Sequence, residues 1–178
     1  MRIKMKNMTR AFTTAELLIS LGIVSIIAIF AMTVLTVNLK SSGLLRNDSE
    51  LEFHSQYILN FLSKKVMESA EIVYIKSDQP NSLNYSGEVV VDKISFRYGS
   101  DERYCYIFEV RKGKIFYGND NMRETANAEL GVYVAELRMA PYPEGTKFKD
   151  AKSVMVTLAL LKNGQNYETR QVYYMRGS

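Results

Sequence analysis

Between Leu17 and Leu39 the chain runs for 23 residues, LLISLGIVSIIAIFAMTVLTVNL, without a charged side chain. As a helix such a run spans roughly 35 Å, enough to cross a hydrocarbon core of about 30 Å. A removable secretory signal has a shorter apolar region and a small-residue cleavage pattern after it. This run ends instead in Asn38-Leu39-Lys40-Ser41, with no such pattern. Arg2, Lys4, Lys6 and Arg10 precede it, and residues 1–11 hold no acid. The positive-inside rule therefore predicts a cytoplasmic N-terminus, with everything from Lys40 onward on the far side of the bilayer. The same arithmetic explains the net charge of +4: the remaining 19 basic residues match the 19 acidic ones. A basic average of this origin is no signature of nucleic-acid binding.

Glu16 stands at the cytoplasmic edge of the run, after Phe12-Thr13-Thr14-Ala15. A carboxylate at the edge of hydrocarbon is costly unless it is hydrated or paired. The stretch Arg10-Ala11-Phe12-Thr13-Thr14-Ala15-Glu16-Leu17-Leu18 resembles the processing site of type IV prepilins and type II secretion pseudopilins. That family has a short basic leader, a small residue before the cut, Phe after it, Glu at the fifth mature position and then an apolar helix. The resemblance implies cleavage between Ala11 and Phe12, N-methylation of Phe12, and Glu16 as the assembly contact that meets the new amine of a neighbouring subunit. Two positions depart from the pattern: Ala11 stands where Gly is usual, and Thr14-Ala15 replaces the more usual Leu-Ile. Loss of the leader would leave a chain of 167 residues, neutral by side-chain count.

Beyond the run, Leu44, Leu51, Ile58, Leu62, Val66, Ala70 and Val73 recur at spacings of three, four and seven, with Tyr57 and Phe61 beside them. That periodicity predicts a half-buried helix over 40–76, its apolar face on a sheet. Ser41-Ser42-Gly43 is the expected kink, and Asn47-Asp48-Ser49 could cap a restarted helix. After Ser77 the pattern becomes strand-like. Ile94, Phe96 and Tyr98 alternate, as do Tyr104, Tyr106, Phe108 and Val110, then Tyr133, Ala135, Leu137 and Met139, then Val154, Val156, Leu158 and Leu160. Lys112-Gly113 and Asn163-Gly164 read as hairpin turns. The expected fold class is α+β: a long N-terminal helix, transmembrane then amphipathic, packed on an antiparallel sheet of six or seven strands, pilin-like by resemblance. The expected organisation is a leader at 1–11, a transmembrane and filament-core helix at 12–39, its amphipathic continuation at 40–76, and a β-rich domain at 77–178.

Catalytic and metal motifs are absent from the sequence. It has one His (His54), one Cys (Cys105) and no Trp, which excludes a Cys/His metal cage and an internal disulfide. No phosphate-loop, zinc-protease or nucleophile-elbow pattern occurs. Asp101-Glu102 reads as a solvated turn. Gly118-Asn119-Asp120-Asn121 offers oxygen ligands but lacks the spacing of a Ca²⁺ loop, so a turn is expected there. Arg111-Lys112-Lys114 and Lys147-Lys149-Lys152 are small basic groups, and Tyr104, Tyr106 and Tyr117 could stack bases, but strand aromatics are usually core. No cofactor, no metal, no enzymatic activity and no direct DNA contact are expected. The resemblance implies a minor pilin or pseudopilin, loosely of the J-type or W-type, that primes or caps a filament. Its partners would be other pilin-type subunits, a prepilin peptidase, an assembly platform protein and the membrane. The alternatives are a single-pass signal-anchored extracytoplasmic receptor or enzyme domain, and a DNA-uptake pseudopilin.

Overall fold

The computed structural model describes residues 13–101 and 104–176, the side chains of Leu44 and Leu45 excepted. The fold is α+β, with one long N-terminal helix and a curled antiparallel sheet of eight strands. The helix, α1, spans Thr14–Met67. The chain divides into two compact units, with the boundary between Leu45 and Arg46. The helix runs unbroken through Ser41-Ser42-Gly43 and Asn47-Asp48-Ser49, so no second helix start is needed there.

α1 ends at Met67, earlier than the periodicity predicts, and residues 71–77 form strand β1 (Glu71–Ser77) instead. The cause is a competing backbone partner. Ala70 N–H donates to Arg97 O at 2.7 Å, and β1 then pairs antiparallel with β2 (Val89–Arg97). Ile72, Val73 and Ile75 are β-branched, which suits a pleated surface better than a helix. The helical spacing of Val66, Ala70 and Val73 is a coincidence of two elements joined end to end.

The other strands are β3 (Cys105–Arg111), β4 (Lys114–Asp120), β5 (Ala128–Val132), β6 (Val134–Tyr142), β7 (Ser153–Lys162) and β8 (Gln165–Tyr174). Their order is β5-β4-β3-β2-β6-β7-β8, with β1 also on β2. The turns at Lys112-Gly113 and Asn163-Gly164 have positive φ at both residues, 51° and 72° in the first, 51° and 80° in the second. This is the geometry that matches the strand twist of a two-residue hairpin.

Residues 46–178 have their own core. Leu51, Ile58, Leu59, Leu62 and Val66 of α1 are buried against Phe96, Phe108, Val156, Leu158 and Leu160 of the sheet. Ser55 lies on the same stripe, fully buried. Tyr57, which the periodicity places beside the stripe, is 52% exposed. Phe61 packs edge-on against Tyr117, their rings 4.8 Å apart. The helix approaches β5 closely at Gly131, where a β-carbon would fall 2.5 Å from Ile58 Cδ1.

Single-residue bulges interrupt the period-2 pattern. Lys76 faces Lys93 while Ser77 faces Val91, so Asp92 is an extra residue. It lets both Val91 and Ile94 point inward. Another falls at Ala135, between the pairs Val134–Leu160 and Glu136–Ala159. As a result Val134 is buried and Ala135 exposed, the reverse of simple alternation through Tyr133 and Ala135.

Candidate functional site

The start of α1 and the apolar half that follows it form the candidate site. Ala11 and Phe12, the expected cleavage and methylation positions, lie outside the described residues. The described part opens with Thr13 and Glu16, which bond reciprocally. Thr13 N–H and Thr13 Oγ1 both donate to Glu16 Oε2 at 3.0 Å, and Glu16 N–H donates to Thr13 Oγ1 at 3.3 Å. The spacing Thr-x-x-Glu and these contacts make a capping box, which satisfies donors that the first turn of any helix leaves without partners. The carboxylate also sits where the helix dipole favours negative charge. Glu16 therefore has a role within its own chain, one the sequence pattern T-T-A-E could have disclosed.

From Leu17 to Leu39 the large apolar side chains are between 44% and 71% exposed, Val34 least and Phe30 most. This helix is long and apolar enough to cross a membrane, and its most apolar window is wholly unburied within the chain. The hydroxyls in the run turn back on their own helix. Ser20 Oγ donates to Leu17 O at 2.9 Å, Ser25 Oγ to Leu21 O at 2.8 Å, Thr33 Oγ1 to Ile29 O at 2.9 Å, and Thr36 Oγ1 to Met32 O at 3.0 Å. A surface whose hydroxyls are satisfied internally can be placed in lipid or against another apolar helix without stranded donors.

In the unit that follows, the part of α1 from Arg46 onward is tied to the sheet near where it enters the unit and near where the helix ends. Near its entry, Lys162 Nζ donates to Glu50 Oε1, and Tyr133 Oη donates to the same oxygen at 3.2 Å. Lys162 also lies 4.7 Å from the Tyr133 ring centroid. The hydrogen bond from Lys162 holds the Glu50 carboxyl below the usual carboxylate range, and the reciprocal bond raises the Lys162 ammonium. Gln165 Nε2 donates to Asp48 Oδ1 at 3.0 Å. Near its exit, Lys65 Nζ and Tyr106 Oη both donate to Glu68 Oε2 at 2.8 Å. Hydrogen bonding to Lys65 lowers the Glu68 carboxyl, while burial raises the Tyr106 phenol.

The remaining residues singled out from the sequence do not converge. His54 is half-buried, 5.5 Å from the Tyr133 ring on the helix side. Cys105 is buried on the opposite face of the sheet, so the two make no nucleophile pair. Asp101 O accepts from Tyr104 N–H at 3.0 Å, a turn contact, and Glu102 lies outside the described residues. Gly118, Asn119 and Asp120 belong to β4 rather than to a turn, because Tyr106 and Cys105 pair with Asn119 and Asp120. Among the described residues no cluster of three His, Cys, Asp or Glu could hold a metal ion. Arg111 lies 4.0 Å over the Phe116 ring and Lys114 pairs with Glu129 at 2.7 Å. Tyr106 is stacked on Tyr98 at 4.2 Å and only 8% exposed, so it offers no open face to a base.

No family model, no curated protein and no solved structure matches this chain.

Proposed function

We propose that this chain is a prepilin-type subunit, a minor pilin or pseudopilin that enters a type IV pilus-like filament and primes or caps it. In this reading residues 1–11 are removed by a prepilin peptidase and Phe12 becomes the N-methylated terminus. The helix Leu17–Leu39 waits in the cytoplasmic membrane with the β-rich unit outside. An assembly platform protein then passes it into the filament, where its face exchanges lipid for the apolar helices of other subunits. The hydrophobic cost of leaving the bilayer is thereby avoided. The observation that carries the reading is the sequence at the N-terminus, a basic, acid-free segment and a small residue before Phe12, followed by Glu16 opening an apolar helix whose large side chains are exposed among the described residues. The α+β arrangement, one long helix whose second half underlies an antiparallel sheet, supports the reading. The mechanism is structural, with no reaction assigned to the chain. Intact mass and N-terminal sequencing of the protein from its native membrane test it. A chain that begins at N-methyl-Phe12 is expected, and one that begins at Met1 overturns the proposal.

One observation favours a second reading. The capping box accounts for Glu16 without any partner chain. A plain signal-anchored extracytoplasmic domain would use the same box to begin its membrane helix, and it would retain residues 1–11.

A further inference from the structure

The connection from β4 to β5 folds back onto the sheet, its Arg123, Glu124 and Thr125 side chains exposed and Ala126 buried. It crosses the face of β2, β3 and β4 that points away from α1. Ser95 Oγ donates to Met122 O at 2.7 Å, and Arg111 Nη2 donates to Ala126 O at 2.8 Å. Ala126 N–H returns a bond to Glu109 Oε2 at 3.1 Å. Between these anchors lies Lys93, a lysine only 8% exposed. Its ammonium donates to Arg123 O at 2.7 Å and to Glu124 O at 2.6 Å. Among the described residues no carboxylate lies within ion-pair distance of it. A buried ammonium is costly unless hydrogen-bonded, and here its partners are carbonyl oxygens of the crossing segment. Converging backbone carbonyls around a positive charge are also how a loop holds a hard metal ion. On that same face, which α1 does not reach, Cys105 and Ile107 are fully buried, and the Ala126 backbone lies over Gly118 beside Ile107.

We propose that residues 121–126 form a strap locked from below by the Lys93 ammonium, which stands in for a bound cation and controls access to the Cys105–Ile107 face. This inference does not depend on the filament reading. It makes the strap independent of calcium, and it makes the single thiol a reporter of strap opening.

The test is the rate at which Cys105 reacts with a disulfide reagent in the folded full-length chain in detergent. The wild-type rate should be slow and unchanged by excess EGTA or by added calcium chloride. Lys93→Met should raise it at least about tenfold, equivalent to ~1.4 kcal/mol of easier opening, with the circular dichroism of the sheet retained. Ser95→Ala, which releases only the Met122 end, should raise it less. A wild-type rate that EGTA accelerates would mean a metal holds the strap. A folded Lys93→Met protein that reacts at the wild-type rate would mean the lysine does not. Should Lys93→Met fail to fold, hydrogen exchange of the wild type decides. Amides 122–126 should open together and at the rate of Cys105 labelling, and exchange independent of that labelling overturns the proposal.

Discussion

Gly131→Ala is expected to destabilise the β-rich unit, and the size of the effect follows from one contact. The added methyl would lie 2.5 Å from Ile58 Cδ1, 2.7 Å from Ile58 Cγ1 and 3.6 Å from Ile115 Cγ2. Favourable carbon contacts lie at about 3.5–4.0 Å, so two atoms of Ile58 overlap it by roughly 1 Å. Rotation about χ2 can move Cδ1 away but leaves Cγ1 in place, and χ1 of a β-branched residue in a helix has one strongly preferred setting. Ile58 is fully buried, so α1 must retreat from β5 or Ile58 must leave its rotamer. Overpacking of this kind costs about 1–3 kcal/mol. The opposing gain, a less flexible unfolded chain, is about 0.4–1 kcal/mol. The clash wins by roughly 1–2 kcal/mol. With a urea slope of about 1–3 kcal/mol/M, the midpoint should fall by roughly 0.5–1 M, read by near-ultraviolet circular dichroism of the tyrosines with the whole chain in micelles. A double-mutant cycle isolates the cause. Ile58→Ala alone should cost about 2–5 kcal/mol. In the Gly131→Ala background it should cost at least about 1 kcal/mol less, because the new methyl then occupies the space Ile58 vacates. Equal costs in both backgrounds, or a higher midpoint for Gly131→Ala, would refute the account of why this position is glycine.

Thr13→Val and Glu16→Gln should have crossed effects. Gln preserves the acceptor a capping box needs but not the charge an incoming amine needs. If the amine pairing operates, Glu16→Gln abolishes filament incorporation while Thr13→Val leaves most of it, as scored by sheared-filament immunoblot. The opposite order would assign Glu16 to capping alone. Lys162 lowers the Glu50 carboxyl below its unfolded value, so the contribution of this ion pair is present above the unfolded carboxylate range, near pH 4.3, and is lost as pH falls through the folded value. Glu50→Gln should therefore flatten the stability profile below about pH 5, measured as urea midpoint against pH. Burial pushes the Tyr173 phenol up to about 12, so the stability linked to it holds below the ordinary phenol value of about 10 and is lost as pH rises through 12. Phenolate absorbance should show a late-titrating fraction among the 12 tyrosines that Tyr173→Phe removes.

The elements legible in the sequence are those whose signal is local. The charge-free run, the two hairpin dipeptides and the alternation in β7 each sit within one window of chain, and each is found where its pattern lies. What escaped is decided by distant partners. The end of α1 at Met67 depends on Arg97, whose carbonyl captures Ala70 N–H. β5 is short and contains Gly131, a poor strand former whose reason for being there is Ile58 on another element. The bulges at Asp92 and Ala135 shift the phase of alternation by one residue, and nothing in their own composition announces them. The strap is illegible for the same reason, since Lys93 and the carbonyls it holds are some 30 positions apart in sequence. At the candidate site the capping box is readable from Thr-x-x-Glu spacing alone, although the family pattern points past Thr13 to a partner on another chain.

The ties between α1 and the last hairpin have a consequence for how the chain is made. Glu50 meets Lys162, Asp48 meets Gln165 and Ser55 meets Thr169, separations of 112, 117 and 114 residues. During synthesis the apolar stripe of α1 leaves the ribosome long before β7 and β8 exist to cover it. Contacts of such range are slow to close, and exposed apolar surface in the interval invites aggregation. The stripe must wait uncovered until the final strands have been made. A chain cut short before Gln165 would keep its apolar helix and most of its strands, yet it would leave the stripe near Asp48 and Glu50 uncovered and marked for degradation.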